Sequence, residues 1–292
     1  MKAFIIMKDK IAEAIADLLF RAETDLSEDV ENALRKAMEE EEGIAKATLS
    51  NILKNVELAR EQGKPMCQDT GTPTFFIKVG YDFPYRHILK EAIIEGVKLA
   101  TKKIPLRPNA VDVVTGKNSG DNTGHHIPYI HWDFMAGDEC YITAMPKGGG
   151  SENASALKML KPGEGMKGVK KFVVEHMAMM GGDPCPPTVV GVGIGGGGDI
   201  AMELAKKALL RKIGERSHDG EIAKMEEELL SALNSLGIGP MGLGGKTTCL
   251  DVHIEVAHRH PASLPVGIAV QCWANRRKSI KIDGGGNIWN ID

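Results

Sequence analysis

Apolar positions along the first sixty residues recur at helical spacing. Ile11, Ile15 and Leu18 fall four and three apart, and Val30, Leu34, Ala37 and Met38 repeat the pattern after Ser27. Ser27, followed by acidic residues in the next turn, is the expected N-cap of that second helix. A third helical run over 45–60 ends before Gly63 and Pro65. These predict a helical N-terminal region over 1–62.

From Met66 the texture changes. Alternating or continuous apolar runs predict strands at 74–79, 127–134, 140–145, 187–193, 249–257, 266–272 and 279–282. The runs at 127–134 and 140–145 read as two strands joined by a turn at Gly137 and Asp138. Helices are predicted over 85–100, 165–180, 199–211 and 220–236. Helices and antiparallel-looking strands are partly segregated, which gives an α+β class: an N-terminal helical cap on a mixed, largely antiparallel sheet core with surrounding helices. With no internal repeat and no low-complexity linker, the expectation is one domain over 1–292, with 66–292 as its core.

Three glycine clusters interrupt this pattern, at 148–150, 191–198 and 237–245. Glycine is entropically costly, so each marks a tight turn or a close approach of backbone to something else. Two look like nucleotide motifs. Gly191, Gly193 and Gly196 satisfy G-x-G-x-x-G, but the region about 20 residues on is charged and helical or looped, where a second parallel strand ending in an acid is required. GLGGKTT has Pro240 where a phosphate loop needs glycine, and TCLDVHIEV after it alternates like a strand, not a helix.

Composition narrows the partners. The 36 basic and 39 acidic residues nearly cancel, so no polybasic field invites nucleic acid or an anionic membrane, and a small ligand is the default. No stretch approaches the roughly 20 apolar residues that span a bilayer. The apolar run at 3–7 is cut off by Lys8, Asp9 and Lys10 before it could act as a signal segment. A cytoplasmic location is expected.

The cysteines are Cys67, Cys140, Cys185, Cys249 and Cys272, an odd and scattered set that does not make a disulfide framework. Cys140 and Cys249 sit inside alternating runs and read as core residues. Cys67, Cys185 and Cys272 each sit where an element meets a rigid or polar loop, where a ligand can be presented. They contain no C-x-x-C pair, so spacing alone leaves buried hydrophobe, nucleophile and metal ligand all open.

The runs CQDTGT, KGGGSEN, CPPTVVGVGIGGGGD and GLGGKTTCLDVHIEVAHRHPASLPVGIAVQCWANRR together resemble one family, in its order, over about 66–277. It is the α subunit, or N-terminal half, of class I (iron–sulfur) fumarate hydratases and the related L-tartrate dehydratases. The resemblance implies an oxygen-sensitive hydro-lyase with one [4Fe–4S] cluster per chain on Cys67, Cys185 and Cys272. A cluster tied by three thiolates leaves one iron open to act as a Lewis acid on a substrate hydroxyl and carboxylate. Fumarate hydration to malate is the expected reaction, and tartrate dehydration the alternative. A non-catalytic iron–sulfur or zinc protein is the reading from another class.

By the same resemblance Gln68 and Asp69 contact substrate, with Asp69 the acid that assists hydroxide departure. Arg107, between two prolines, matches a carboxylate-clamping arginine. Gly149 and Gly150 offer backbone N–H groups to a second carboxylate, with Lys147 beside them. His260 matches a substrate-contacting histidine, and His258 shares its strand face by alternation. The polar stretch 119–126, SGDNTGHH, carries no assigned step. The chain ends soon after the last motif, so a separate β subunit is expected to supply the proton-abstracting base, in a hetero-oligomer with α–α contacts. The α subunit alone is expected to be inactive.

Overall fold

The computed structural model describes the backbone of residues 2–292 and the side chains of 4–292. Helices α1 (Lys2–Thr24), α2 (Glu28–Glu40) and α3 (Gly43–Gln62) come first, as the apolar spacing predicts. They are followed by β1 (Thr74–Gly80), α4 (Leu89–Lys103), β2 (Tyr129–Met135), β3 (Cys140–Ala144), α5 (Gly149–Asn153) and β4 (Ala156–Leu160). Then come α6 (Gly165–Met180), β5 (Thr188–Gly196), α7 (Gly198–Ala208) and α8 (Gly220–Asn234). The last strands are β6 (Cys249–Arg259), β7 (Leu264–Gln271), β8 (Lys278–Ile282) and β9 (Ile288–Asn290). The class is α+β.

The chain divides into two compact units. One comprises the chain up to Ser27, Asn55–Gly148 and Arg276–Asp292; the other comprises Glu28–Lys54 and Gly149–Asn275.

The first unit is built on a five-stranded sheet of order β2-β1-β3-β8-β9, antiparallel except for the parallel pair β1–β2. Ile11, Ile15, Leu18 and Leu19 of α1 and Ile93 and Val97 of α4 bury against Phe75, Ile77, Val79, Ile142 and Ile280. The 127–134 and 140–145 runs do form strands, but they are not paired as a hairpin: β1 lies between them. Burial explains the order. All but one residue of β1 is buried, so it takes the centre, whereas mostly exposed β2 is left at the edge.

The second unit has a four-stranded sheet of order β4-β7-β5-β6, with β5–β6 parallel and the others antiparallel. Helices α6 and α8 cover one face, where Val173 and Leu229 pack with Val190, Val192, Ile254 and Ile268. Helix α7 lies on the other. There Gly193 is required: a Cβ on it would fall 1.9 Å from the Ala201 carbonyl oxygen.

Ser27 does precede α2, with Glu28, Asp29 and Glu31 in the first turn. Its hydroxyl, however, is buried without a hydrogen-bond partner, so it does not act as a side-chain cap. The acids of the first turn serve the helix end instead.

Candidate functional site

In the first unit the run from Cys67 to Thr72 leaves α3 as a loop held at both ends. Asn55 Nδ2 donates to the Met66 carbonyl at 2.7 Å, and Met66 N–H donates to Glu23 O at 2.9 Å. At the far end Thr72 and Lys147 exchange backbone hydrogen bonds of 2.9 and 3.0 Å. Gly71 makes this approach possible, with φ +72° and its would-be Cβ only 2.7 Å from Lys147 backbone. Asp69 Oδ1 accepts the Gly71 N–H at 2.9 Å, which fixes the carboxylate inside the turn.

Buried Thr70 joins this loop to the next. Its Oγ1 accepts the Arg107 N–H at 3.1 Å and lies 3.4 Å from the Arg107 carbonyl. A cleft of about 530 Å³ is lined by Cys67, Gln68, Thr70, Pro105, Leu106 and Arg107. Of the residues the sequence singles out, Cys67, Gln68 and Arg107 thus share one cavity wall, with exposed Arg107 able to reach an anion.

The polar stretch 119–126 is the scaffold of that wall. Asn122, 1% exposed, accepts the Asn109 N–H at 2.6 Å through Oδ1, and Asn109 Nδ2 donates to Gly71 O at 2.9 Å. His125 and His126 remain exposed.

Beneath Asp69 lies a buried ion pair. Arg276 Nη1 donates to Glu23 Oε2 at 2.7 Å and to the Asp69 carbonyl at 2.9 Å. Burial pushes the Glu23 carboxyl up to about 7; Arg276 opposes that shift and the nearby Asp69 charge adds to it.

In the second unit Cys185 and Cys272 are brought together. Trp273 N–H, one residue past Cys272, donates to the Cys185 carbonyl at 3.1 Å. Cys185 holds φ +55°, a left-handed conformation rare outside glycine, in a turn closed by its N–H to Gly182 O at 3.0 Å. Both thiols are half-buried. Gly150 adjoins the same loop: a Cβ on it would lie 3.3 Å from Asp183 O. Gly149 and Gly150 are exposed at the start of α5, and Lys147 is buried.

Cys140 and Cys249 behave as expected of core residues. Both are buried at the starts of β3 and β6, and burial pushes each thiol up to about 12. Among the described residues no cysteine is in a disulfide, and no group of three or more His, Cys, Asp or Glu is gathered as a metal ion would require. Cys67 belongs to the first unit, Cys185 and Cys272 to the second.

His260 stands apart from the cysteine pair. Strand β6 ends at Arg259, so His260 opens the turn to β7 and does not continue the face of His258. Its Nδ1 accepts the Ala262 N–H at 3.1 Å. Thr188 pairs with Cys249 at one end of β5 and Gly196 with Arg259 at the other, while Val189 pairs with Gln271. Cys185 and Cys272 therefore lie at one end of this sheet and His260 at the opposite end.

The two nucleotide look-alikes have structural uses. Gly191 and Gly193 sit under α7, where their Cβ atoms would strike the Ala205 and Ala201 carbonyls. In GGKTT the N–H groups of Lys246 and Thr247, which a phosphate would need, both donate to Glu41 Oε1 at 2.6 Å.

Comparison with known proteins decides the family. The family model described as "Fumarate hydratase (Fumerase)" matches residues 12–281. The chain belongs to the fumarate hydratase family. It is a hydro-lyase of the Fumerase type. A Methanocaldococcus jannaschii protein provisionally named L(+)-tartrate dehydratase subunit alpha is 54% identical over 281 residues, covering 94% of this chain and 99% of its own length. The L(+)-tartrate dehydratase subunit alpha of Escherichia coli K12 is 37% identical over 276 residues, 94% of this chain and 91% of its own. As a Fumerase chain it has, among the described residues, no helix long and apolar enough to cross a membrane.

The sequence reading gave no role to Glu23, Thr70, Asn109 or Arg276. Glu23 had a signal, an acid four residues after buried Leu19 on the apolar side of α1. Arg276 lies in the final motif, where nothing local sets it apart from its neighbour Arg277. Thr70 and Asn109 act through contacts that only the folded chain supplies.

Proposed function

We propose that this chain is the α subunit of an iron–sulfur hydro-lyase that eliminates water from a four-carbon 2-hydroxydicarboxylate, with L-tartrate as its substrate. The observation that carries the reading is the Trp273–Cys185 backbone hydrogen bond, which joins the loops of two half-buried cysteines, Cys185 and Cys272. The donor set fits the group. Three loop-edge thiols are soft ligands suited to an iron–sulfur cluster, and the two thiols held protonated by burial drop out. Cys67, Cys185 and Cys272 would hold a [4Fe–4S] cluster, which when bound supplies an iron short of a thiolate as a Lewis acid for the substrate oxygens.

The chain's own residues bind and position the substrate. The Arg107 guanidinium clamps one carboxylate, and the N–H groups of Gly149 and Gly150 receive the other. Gln68 adds a hydrogen bond. Asp69, oriented by Gly71, gives its proton to the departing hydroxyl, which leaves as water. A base in a separate β subunit removes the proton next to the carboxylate. The assembly is a hetero-oligomer of α and β chains with α–α contacts, located in the cytoplasm.

Support for tartrate comes from the names of relatives aligned over nearly the whole chain. Fumarate and malate are the second reading, favoured by the description of the family model. Anaerobic co-expression with a β subunit and side-by-side assays on L-tartrate and malate test both. Dehydration of tartrate well above malate is expected, and the reverse preference selects the second reading. Full turnover by the isolated, cluster-loaded α chain overturns the two-subunit proposal.

A further inference from the structure

Two amides flank Cys272, and neither has found a partner. Gln271 closes β7, Asn275 follows Cys272 by three residues, and both are 0% exposed. Gln271 Nε2 and Oε1 and Asn275 Nδ2 and Oδ1 are all buried without a hydrogen bond. A buried polar group left unmade costs about 1–3 kcal/mol, and native chains carry few of them. Here two complete amides lie within five residues. Trp273 N–H is taken by Cys185 O, and the Cys272 thiol lies 3.8 Å from Ala274 O.

Their place in the fold says what they wait for. By strand alternation Gln271 shares a face with Ala269 and Gly267, the face against α7. Its cross-strand neighbour is Val189, which offers no polar side chain. Gln271 is thus a long amide at the strand end where the Cys185 and Cys272 loops meet. Asn275 lies in the segment that runs on from Cys272.

We infer that the Gln271 and Asn275 side-chain amides donate hydrogen bonds to the sulfur atoms of the iron–sulfur group held at Cys185 and Cys272; this rests on the cofactor reading above. An N–H donor to thiolate or sulfide stabilises the more negative, reduced group and so raises its reduction potential. Donors of this kind also hold ligands in place, and their loss weakens metal retention.

The inference makes opposite predictions for the empty and loaded protein. Gln271→Met and Asn275→Leu keep side-chain size but remove the amides. Asn275→Asp keeps the shape of asparagine, removes the donors and adds a negative charge. The full chain is purified anaerobically, reconstituted with ferrous iron and sulfide, and compared with its metal-free form. In the metal-free form the two apolar variants melt at or above the wild-type temperature, because the orphaned groups are gone. In the loaded form all three variants show a lower midpoint potential by EPR-monitored titration and release iron in air severalfold faster.

Wild-type protein that binds iron and sulfide, with variants unchanged in potential and iron release, overturns the inference and leaves the cofactor reading standing. Wild-type protein that takes up no iron and sulfide overturns the cofactor reading, and this inference with it.

Discussion

Arg276 and Glu23 form an ion pair at 2.7 Å with both side chains at most 2% exposed, and the same guanidinium nitrogen carries the carbonyl of Asp69. The pair therefore links α1 to the turn that positions the candidate acid. Removing one partner from a buried pair leaves an uncompensated charge. Arg276→Met is expected to lose about 3–5 kcal/mol in denaturant titration and to lower kcat through a displaced Asp69. Unchanged stability would show that the pair is not closed in solution.

The Glu23 carboxyl gives a pH dependence of definite sign. Its folded value is about 7 against an ordinary 4.5, so between these values the native state binds more protons than the unfolded chain. Stability falls as pH rises through that window and levels off above it, by on the order of 3 kcal/mol in all. Denaturant midpoints at pH 5 and pH 8 read this slope. Glu23→Gln removes it, and a slope that persists in the variant assigns the effect elsewhere.

Thiol labelling separates the cysteines. Cys140 and Cys249 are buried with their thiols pushed up to about 12, whereas Cys67, Cys185 and Cys272 are half-buried. In the native metal-free chain a thiol reagent modifies those three and leaves the other two until denaturant is added. Mass-mapped labelling of Cys140 or Cys249 in the native protein would contradict the fold at β3 or β6.

Gly193→Ala is a test of the close approach of α7 to β5. A methyl group 1.9 Å from the Ala201 carbonyl cannot be accommodated without moving the helix. A loss of about 1–3 kcal/mol or more in stability is expected, measured by thermal melting. A neutral substitution would mean that the helix lies farther from the sheet.

Separation along the second sheet predicts a divided phenotype. Cys272→Ser is expected to lose bound iron, while His260→Ala, at the other end of β5, keeps the wild-type iron content. Iron analysis of anaerobically purified variants reads this directly. Iron loss in His260→Ala would place that histidine beside the metal after all.

Much of this architecture was legible because local chemistry and global packing agree. The spacing of Ile11, Ile15 and Leu18 found α1, and the alternation around Cys140 and Cys249 found both buried strands and buried thiols. What failed was pairing. Nothing local in β2 or β3 shows that β1 comes between them, because strand order is settled by competition for the sheet centre. Ser27 has the right identity for a cap and the wrong surroundings. Of the site, Cys67, Gln68 and Arg107 were recognised by motif and do share a cleft. Glu23, Thr70 and Asn122 were not recognised, since each works through a residue distant in sequence.

The turn around Cys185 bears on how this part of the chain folds. Its left-handed residue is braced by Trp273, a partner far along the sequence. Closing so long a loop is costly on its own, but the pairing of Val189 with Gln271 has already brought the two segments side by side. A substitution that loosens β5 or β7 therefore reaches the Cys185 turn without touching it.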